Sequence, residues 1–409
     1  MRTGNAYFDL IAADENVSIL ADRLSAGGHH FAHGVIGSST RLVSAAIARR
    51  TERPLLMTVA HLDEADDTAE ELASVGIDAS VLPALEVLPG ESAVSLDLFA
   101  RRLALIRRLH EGSDLPRAII APVQSLMQGV PRPQRLAELT LSLRNGAEIG
   151  PDALINWLSN AGYQRLDSIE EPGDFAVRGG IIDIFPPPGG SSTVPSGDGE
   201  SLPFRVDFFG DEIDSITEID LDTMGSDRRL DRVNLVGSGQ REGEQSVLTG
   251  DEVNVLDVLK DSEFRRAIVV ICDTMEVTEQ ARGYYERVIN TKGIDGPPEV
   301  MRRLRSNFHA LCEINQTDIC ADASAIELPV EPLPEFPRDA SEAASQLGEL
   351  TASARVIVCP QSEAENKRCS ELIREFCPAE QALRIEQQIG YVHRGFAWAP
   401  GGVGRTLGI

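Results

Sequence analysis

The chain has 409 residues, of which 42% are hydrophobic and 25% charged, and its formal net charge is −26. That length holds two to four domains of ordinary size. A protein that tracks nucleic-acid phosphates needs a basic face, so this acidic balance argues against strong DNA binding by the chain alone. No apolar run approaches the roughly 20 residues that span a bilayer, and the first residues lack a signal peptide, so we expect a cytoplasmic protein without a membrane partner.

Residues 1–135 alternate between short apolar strands and segments with helical spacing. The strands are PLLMTVA (54–60) and AIIAPV (118–123), and the helical segments are 62–75 and 98–110. Such alternation predicts an α/β layer built on a parallel sheet.

Residues 136–230 have a different pattern. A helix is signalled after Gly150, and two strand-like segments follow at 174–185 and 204–209. The Pro/Gly/Ser-rich stretch 186–203 between them is typical of a surface loop. A helix followed by a hairpin predicts a small α+β domain inserted into the α/β layer.

Residues 231–345 return to α/β signals, with the strand AIVVICD (267–273) and a helix around 277–289. A Pro-rich stretch near residue 330 is typical of a boundary. Residues 346–409 open a further βα unit, which we expect to be an incomplete α/β domain.

The segment HGVIGSSTR resembles a phosphate-binding loop that has lost its chemistry. The motif G-x-x-x-x-G-K-[ST] needs glycines that expose backbone N–H groups, a lysine for the phosphates and a hydroxyl for Mg²⁺. Gly34 and Gly37 are present, but Ser39 replaces the second motif glycine, Thr40 replaces the lysine and Arg41 replaces the hydroxyl. We interpret this as a degenerate nucleotide loop. Arg41 is able to bind an anion, although an ordinary surface arginine is the simpler interpretation.

Three other candidate sites have weaker support in the sequence. Asp273 ends an apolar strand as a Mg²⁺-binding acid does, but a second acid does not follow it, and we interpret it as a plain strand end. The stretch APGGVGRT (399–406) lacks the first glycine and the lysine of a phosphate loop, and we assign it no function. His29, His30 and His33 are interpreted as loop histidines.

Metal and redox chemistry are not indicated by the cysteines either. The six of them include no CxxC pair, so neither a zinc site nor a disulfide framework is predicted, and we expect no cofactor.

The segment FRVDFF (204–209) carries the most informative pattern. Strand alternation puts Arg205, Asp207 and Phe209 on one face, and the preceding strand carries Arg178. Two arginines and an exposed aromatic are typical of a protein-binding hot spot. The alternative is an ion pair within the domain, Arg205 with Asp207 or Arg178 with Asp183, with Phe209 packed against a helix. From the pattern alone this alternative is slightly favoured.

Two longer stretches carry a family resemblance. DFAVRGGIIDIFPP followed by LPFRVDFFGDEIDSI resembles the signature shared by UvrB and the bacterial transcription-repair coupling factor (Mfd) family. Three further segments are similar to the coupling factors in particular, namely LPALEVLPGE (82–91), APVQSLMQGVP (121–131) and residues 158–180.

The resemblance implies a fold and a site. It implies a degenerate RecA-like (P-loop NTPase-like) domain in two segments, 1–135 and 231–345, interrupted by a UvrA-binding domain at 136–230 and followed by the incomplete 346–409. The UvrA-facing residues of the family fall on Arg178, Arg205 and Phe209, which favours the binding interpretation.

The resemblance also implies a function. We expect a non-catalytic adaptor that recruits UvrA in nucleotide excision repair, without ATP hydrolysis. RNA polymerase and DNA are partners of the full-length family, whose polymerase-binding and translocase domains lie beyond this sequence, so a truncation is expected. Two alternatives stay open, an ATP-dependent UvrB-like DNA remodeller, against which Thr40 argues, and an inert truncated product.

Overall fold

The computed structural model describes residues 6–85, 95–187, 202–221, 223, 225–237, 252–288, 291–318, 324–400 and 405–408. Within these residues the helices, in chain order, are α1 (Ala6–Ala12), α2 (Glu15–Ala26), α3 (Ser39–Thr51), α4 (Asp63–Ser74), α5 (Leu96–Glu111), α6 (Val123–Met127), α7 (Pro133–Glu138), α8 (Pro151–Asn160), α9 (Val255–Lys260), α10 (Thr274–Arg287), α11 (Pro297–Ser306), α12 (Ala340–Leu350), α13 (Glu363–Phe376) and α14 (Ala379–Ala382). Within this part of the chain, a helix long and apolar enough to cross a membrane is not found.

The strands of the same residues are β1 (Gly28–His33), β2 (Leu55–Val59), β3 (Ala79–Val81), β4 (Ala118–Pro122), β5 (Gly129–Val130), β6 (Thr140–Arg144), β7 (Gln164–Leu166), β8 (Asp174–Arg178), β9 (Ile181–Ile184), β10 (Phe204–Phe209), β11 (Glu212–Ile219), β12 (Ser226–Arg229), β13 (Arg232–Val236), β14 (Val253–Asn254), β15 (Ile268–Cys272), β16 (Ala310–Asn315), β17 (Ile326–Glu327), β18 (Val330–Glu331), β19 (Ala354–Val358), β20 (Ile385–Gln387), β21 (Phe396–Trp398) and β22 (Arg405–Gly408).

The largest sheet combines two separated stretches of chain. Its order is β17-β1-β16-β15-β2-β4-β3, and each neighbouring pair is parallel. Helices α1 to α4 cover one face, and α5, α6 and α9 to α11 cover the other. Because both faces are covered, strands such as β2 and β4 are buried throughout and consist of apolar runs. We call this sheet and its helices the central unit. It confirms the predicted α/β fold class, with a layout consistent with a RecA-like domain in segments.

The inserted module, residues 140–237, has its own core. Its six-stranded sheet has the order β12-β11-β10-β9-β8-β7, and α8 packs against one face of it. The strand β13 pairs antiparallel with β6, so the hydrogen-bonded module continues to Val236, past the predicted limit at residue 230. The reason is visible in the sequence of β13, where Val233 and Leu235 alternate with polar residues and enter the module core. Of the predicted loop 186–203, residues 188–201 lie outside the described part of the chain.

A third unit follows. Its five-stranded sheet has the order β18-β21-β22-β19-β20, and α12 to α14 contribute to its core. The strand β18 belongs to this sheet although it precedes the predicted boundary at residue 346. Part of the stretch 399–406, residues 401–404, lies outside the described residues, and β22 follows it and pairs in parallel with β19.

Candidate partner-binding face and degenerate nucleotide loop

Two hairpins of the inserted module bring the predicted partner-binding residues to one face of its sheet. Arg178 ends β8, and β10 carries Arg205 and Phe209. Arg178 lies opposite Ile181 on β9, which lies opposite Asp207 on β10. Opposed residues project from the same face of a sheet, and alternate residues of a strand do too. Arg178, Arg205 and Phe209 therefore share the face opposite the apolar core, which we call the partner face.

Arg205 is held by Asp183 on the neighbouring strand. Its Nε and Nη2 atoms donate to the two carboxylate oxygens of Asp183 at 2.6 and 2.9 Å. The Asp183 side chain is 1% exposed and that of Arg205 is 20% exposed. The hydrogen bond to Asp183 raises the pKa of the Arg205 guanidinium. One edge of the guanidinium is thus fixed within the module, and the Nη1 side remains for other acceptors.

Both ion pairs weighed from the sequence are wrong. Arg205 lies directly opposite Asp183, so it binds that residue and not Asp207. Asp207 instead accepts a hydrogen bond from the hydroxyl of Ser215 at 3.1 Å. Arg178 has an exposed side chain whose Nη2 donates to the carbonyl of Asp167 at 3.1 Å. The register between neighbouring strands decides these partners. The spacing of residues along one strand does not reveal that register.

Phe209 projects into solvent at the tip of the β10–β11 hairpin, with 82% of its surface exposed. The alternative in which it packs against a helix is therefore wrong. Its neighbour Phe208 faces the other way and packs against the module core. An aromatic side chain that gains nothing from the core contributes hydrophobic area that only a partner can bury.

Backbone hydrogen bonds fix the position of this hairpin tip. Ile213 exchanges hydrogen bonds with the loop before α8: its N–H donates to Ala147 O at 3.0 Å, and its carbonyl accepts from Gly146 N at 2.8 Å. Phe208 N donates to Gly180 O at 2.9 Å, which joins the tip to the β8–β9 turn. The exposed ring therefore stands on an ordered backbone, so binding would cost little ordering entropy.

The degenerate nucleotide loop connects β1 to α3 at the carboxyl edge of the parallel sheet. Gly34 follows β1, Gly37 precedes the helix and Ser39 begins it. Ser39 is buried, and its hydroxyl donates to Ile36 O at 2.7 Å and accepts from Ile36 N at 2.9 Å. Thr40, in place of the motif lysine, lines the adjoining cleft without bringing a charge. In open α/β sheets this edge is the usual position for ligands.

Arg41 is committed to a buried acid. Its Nη1 donates to Oε2 of Glu71 at 3.1 Å, and the side chains are 14% and 0% exposed. The interpretation of Arg41 as an ordinary surface arginine is thus wrong, because Glu71 comes from α4 and the sequence pattern around the loop does not reveal it. Burial raises the pKa of Glu71, an effect that Arg41 and the hydroxyl of Ser38 oppose.

A polar cleft of about 480 Å³ lies beside the loop, at the ends of β1, β2, β15 and β16. His61 Nε2 lies 2.9 Å from Glu276 Oε1 across it. Asp273, interpreted as a plain strand end, also caps α10, because its side chain accepts from Glu276 N at 3.4 Å. Its φ of 58° is a conformation that few residues other than glycine adopt.

The histidine cluster does not lie in a loop. His29, His30 and His33 belong to β1, which pairs with β16 on one side and β17 on the other. His29 Nε2 lies 2.8 Å from Oε1 of the buried Glu313, a contact within the fold. The residue pattern GHHFAH conceals this strand because histidines stand where the β-branched and apolar residues that mark a strand are expected.

Comparison with known proteins points to one family. Residues 141–240 match the family model described as the UvrB interaction domain. The chain resembles the UvrB-like N-terminal region of the transcription-repair-coupling factors. The partner face therefore lies within the stretch that matches the UvrB interaction domain.

Similar proteins include bacterial transcription-repair-coupling factors. That of Bacillus subtilis is 33% identical over 205 residues, 49% of this chain and 16% of the relative. That of Mycobacterium bovis is 31% identical over 282 residues, 67% of this chain and 21% of the relative. That of Escherichia coli is 30% identical over 217 residues, 52% of this chain and 18% of the relative. The matches thus span about a fifth or less of the length of these coupling factors.

Two residues act as anchors: the sequence pattern pairs Asp183 with the wrong arginine, and it does not single out Glu71. Asp183 orients Arg205 in the UvrB interaction domain, and Glu71 binds Arg41 in the central unit. Asp183 sits within the family signature, so its place in an otherwise apolar strand is a signal that a sequence contains. Glu71 lies among several acids of α4, and its sequence neighbourhood does not distinguish it from them.

Proposed function

We propose that this chain is a UvrA-recruiting module that couples transcription to nucleotide excision repair, and that the partner face binds UvrA. The observation that carries the proposal is the 82% exposure of Phe209 on a hairpin of the UvrB interaction domain match. Arg178 and Arg205 lie on the same face of the sheet, and arginines together with an exposed aromatic residue are typical of binding hot spots.

We further propose that the chain is a non-catalytic adaptor of the cytoplasm. Thr40 brings no charge to the place where a phosphate loop needs a lysine, and Arg41 is neutralised by Glu71. RNA polymerase and DNA are proposed as partners of a longer coupling factor, not of this acidic chain alone. The formal charge of −26 supports this division, since phosphate contacts need clustered cations.

Calorimetric titration of the chain into its cognate UvrA tests the proposal. Phe209→Ala should weaken binding by roughly 1–4 kcal/mol, as truncation of a hot-spot residue does. Leu383→Ala is the matched control, because Leu383 is 88% exposed but lies in the third unit. Equal affinities of wild type and Phe209→Ala would refute the site, and a folded wild type that does not bind would refute the function.

The ATP-dependent alternative is distinguished by a separate assay. DNA-stimulated ATP hydrolysis by the purified chain would contradict the adaptor proposal. We expect turnover no higher than that of a buffer blank.

A further inference from the structure

The degenerate nucleotide loop is occupied by a segment of the third unit. Ser38 N donates to Arg394 O at 2.9 Å, and Arg394 N donates to the Ser38 hydroxyl oxygen at 2.9 Å. In a phosphate-binding loop, backbone N–H groups at the start of the helix point at phosphate oxygens. Here a carbonyl oxygen takes that acceptor position.

Glu71 forms hydrogen bonds with both the loop and the segment of the third unit. Its carboxylate accepts from the N–H of His393 at 2.5 Å and from Arg41 Nη1 at 3.1 Å, and the Ser38 hydroxyl also donates to it. A buried carboxylate needs such partners to offset its desolvation. The positive charge of Arg41 thus stabilises an acid of the protein where a nucleotide loop would carry a hydroxyl for Mg²⁺.

The segment of the third unit packs closely against Gly37. A Cβ atom added there would lie 2.7 Å from Arg394 O and 3.1 Å from Gly395 O. Gly37 also has a φ of 61°, so both its backbone and its missing side chain suit the contact. A phosphate group and the Arg394 carbonyl cannot share this space.

Contacts on both sides hold the segment in place. The Tyr391 hydroxyl donates to Asp67 Oδ1 at 2.9 Å, and Gln388 Oε1 accepts from Ala6 N at 2.9 Å. Trp398 is 2% exposed within the core of the central unit, where its Nε1 donates to Asp14 Oδ2 at 3.2 Å. The third unit is therefore anchored before and after the loop contact.

We infer that loop 34–38 is a binding site for a peptide backbone, that of residues 391–395, in the position where a phosphate-binding loop holds its anion. We call residues 391–395 the docking segment. The loop uses the N–H and the hydroxyl oxygen of Ser38 to join the third unit to the central unit. This inference is independent of UvrA binding, since the partner face lies in the inserted module.

Hydrogen exchange with mass spectrometry of the whole chain tests the inference. Gly37→Ala should speed amide exchange in the docking segment and in loop 34–41 by roughly tenfold, because local opening sets the exchange rate. Gly112→Ala is the matched control. Gly112 has a φ of 64°, and among the described residues nothing lies within 4 Å of its added Cβ. Equal exchange in the docking segment of both variants would overturn the inference.

A second pair of variants covers the case in which Gly37→Ala fails to fold. Ser38→Ala removes the oxygen that accepts from Arg394 N, whereas Ser44→Ala removes a buried hydroxyl of the following helix, α3, that donates to Thr40 O. We expect faster exchange in the docking segment for Ser38→Ala alone. Indistinguishable exchange in the two serine variants would contradict the inference.

Inorganic phosphate is the competing ligand. Its addition to wild type should leave exchange in loop 34–41 and in the docking segment unchanged. Protection of the loop together with faster exchange in the docking segment would show that the loop prefers phosphate, and the inference would fail.

Discussion

Asp183 and Arg205 lie directly opposite each other on β9 and β10, and their side chains form a two-bond ion pair on the face that also carries the exposed ring of Phe209. The ion pair fixes the orientation of Arg205, which is one of the proposed binding residues. Arg205 therefore contributes both to the stability of the module and, as proposed, to its affinity for UvrA, and the two contributions need separate measurements.

The two arginines of the partner face should differ in their effect on stability. Arg205→Ala leaves the buried Asp183 carboxylate unpaired and should lower the free energy of unfolding by roughly 3 kcal/mol. Arg178→Ala removes an exposed side chain and should change it by about 0.5 kcal/mol or less. Urea denaturation with matched m-values measures both. Equal losses would mean that the Asp183 pair does not stabilise the module.

The effect of Asp183 on the orientation of Arg205 can be tested in a variant that retains the arginine. Asp183→Asn keeps the shape of the partner and removes its charge, so the guanidinium is held less firmly. We expect weaker UvrA binding, by roughly 1 kcal/mol, with a smaller loss of stability than in Arg205→Ala. Calorimetry and denaturation of the same samples give both numbers. Unchanged affinity would show that Asp183 serves the fold alone.

Two phenylalanines of β10 should behave in opposite ways. Phe209→Ala should change the free energy of unfolding by about 0.5 kcal/mol or less, because the ring is 82% exposed. Phe204→Ala empties a fully buried site in the module core and should cost roughly 3–5 kcal/mol. A large loss of stability in Phe209→Ala would reveal a packing role for that ring.

Restoring the motif lysine should not restore nucleotide binding. Thr40→Lys supplies a cation, but Arg394 O and the Glu71–Arg41 pair still occupy the surroundings of the loop. We expect Mg²⁺-ATP to bind neither wild type nor Thr40→Lys, as measured by titration with a fluorescent ATP analogue. Saturable binding by the variant would show that the lost charge, not the docking segment, excludes nucleotide.

Two histidines should titrate on opposite sides of the ordinary value. The hydrogen bond to Glu276 raises the pKa of His61 above 6.5, whereas burial lowers the pKa of His110 below it. The charged contact of His61 therefore stabilises the fold fully below pH 6.5 and is lost as pH rises through the raised pKa. NMR titration, assigned with His61→Gln and His110→Gln, measures the order. The reverse order would contradict the His61–Glu276 contact.

The sequence predicted the fold class, and it predicted that Arg205 and Phe209 share one strand face, because both signals are local. Apolar runs mark the parallel strands, and alternation along FRVDFF puts Arg205 and Phe209 on one face. It could not predict the partner of Arg205. Asp183 lies on a strand joined to β10 by a long connection, so turn geometry does not set the register.

The state of the nucleotide loop was also beyond the sequence. The sequence shows that Thr40 stands in place of the motif lysine. It does not show that the carbonyl oxygen of Arg394 lies where a phosphate would bind. Arg394 contacts Ser38 from 356 residues away, and a backbone carbonyl leaves no mark in the choice of side chain. Gly37 carries a trace of the contact, but it stands at a variable position of the motif, where a glycine alone does not indicate a bound segment.

The interleaved order of the large sheet has a consequence for synthesis on the ribosome. β1 and β2 are separated in the sheet by β16 and β15, which are translated only after the whole inserted module. The module core comes from one continuous stretch whose ends meet where β6 pairs with β13. The emerging chain should therefore complete the module while β1 and β2 still lack β16 and β15. The apolar strand β2 is then left with an exposed edge of the kind that chaperones bind.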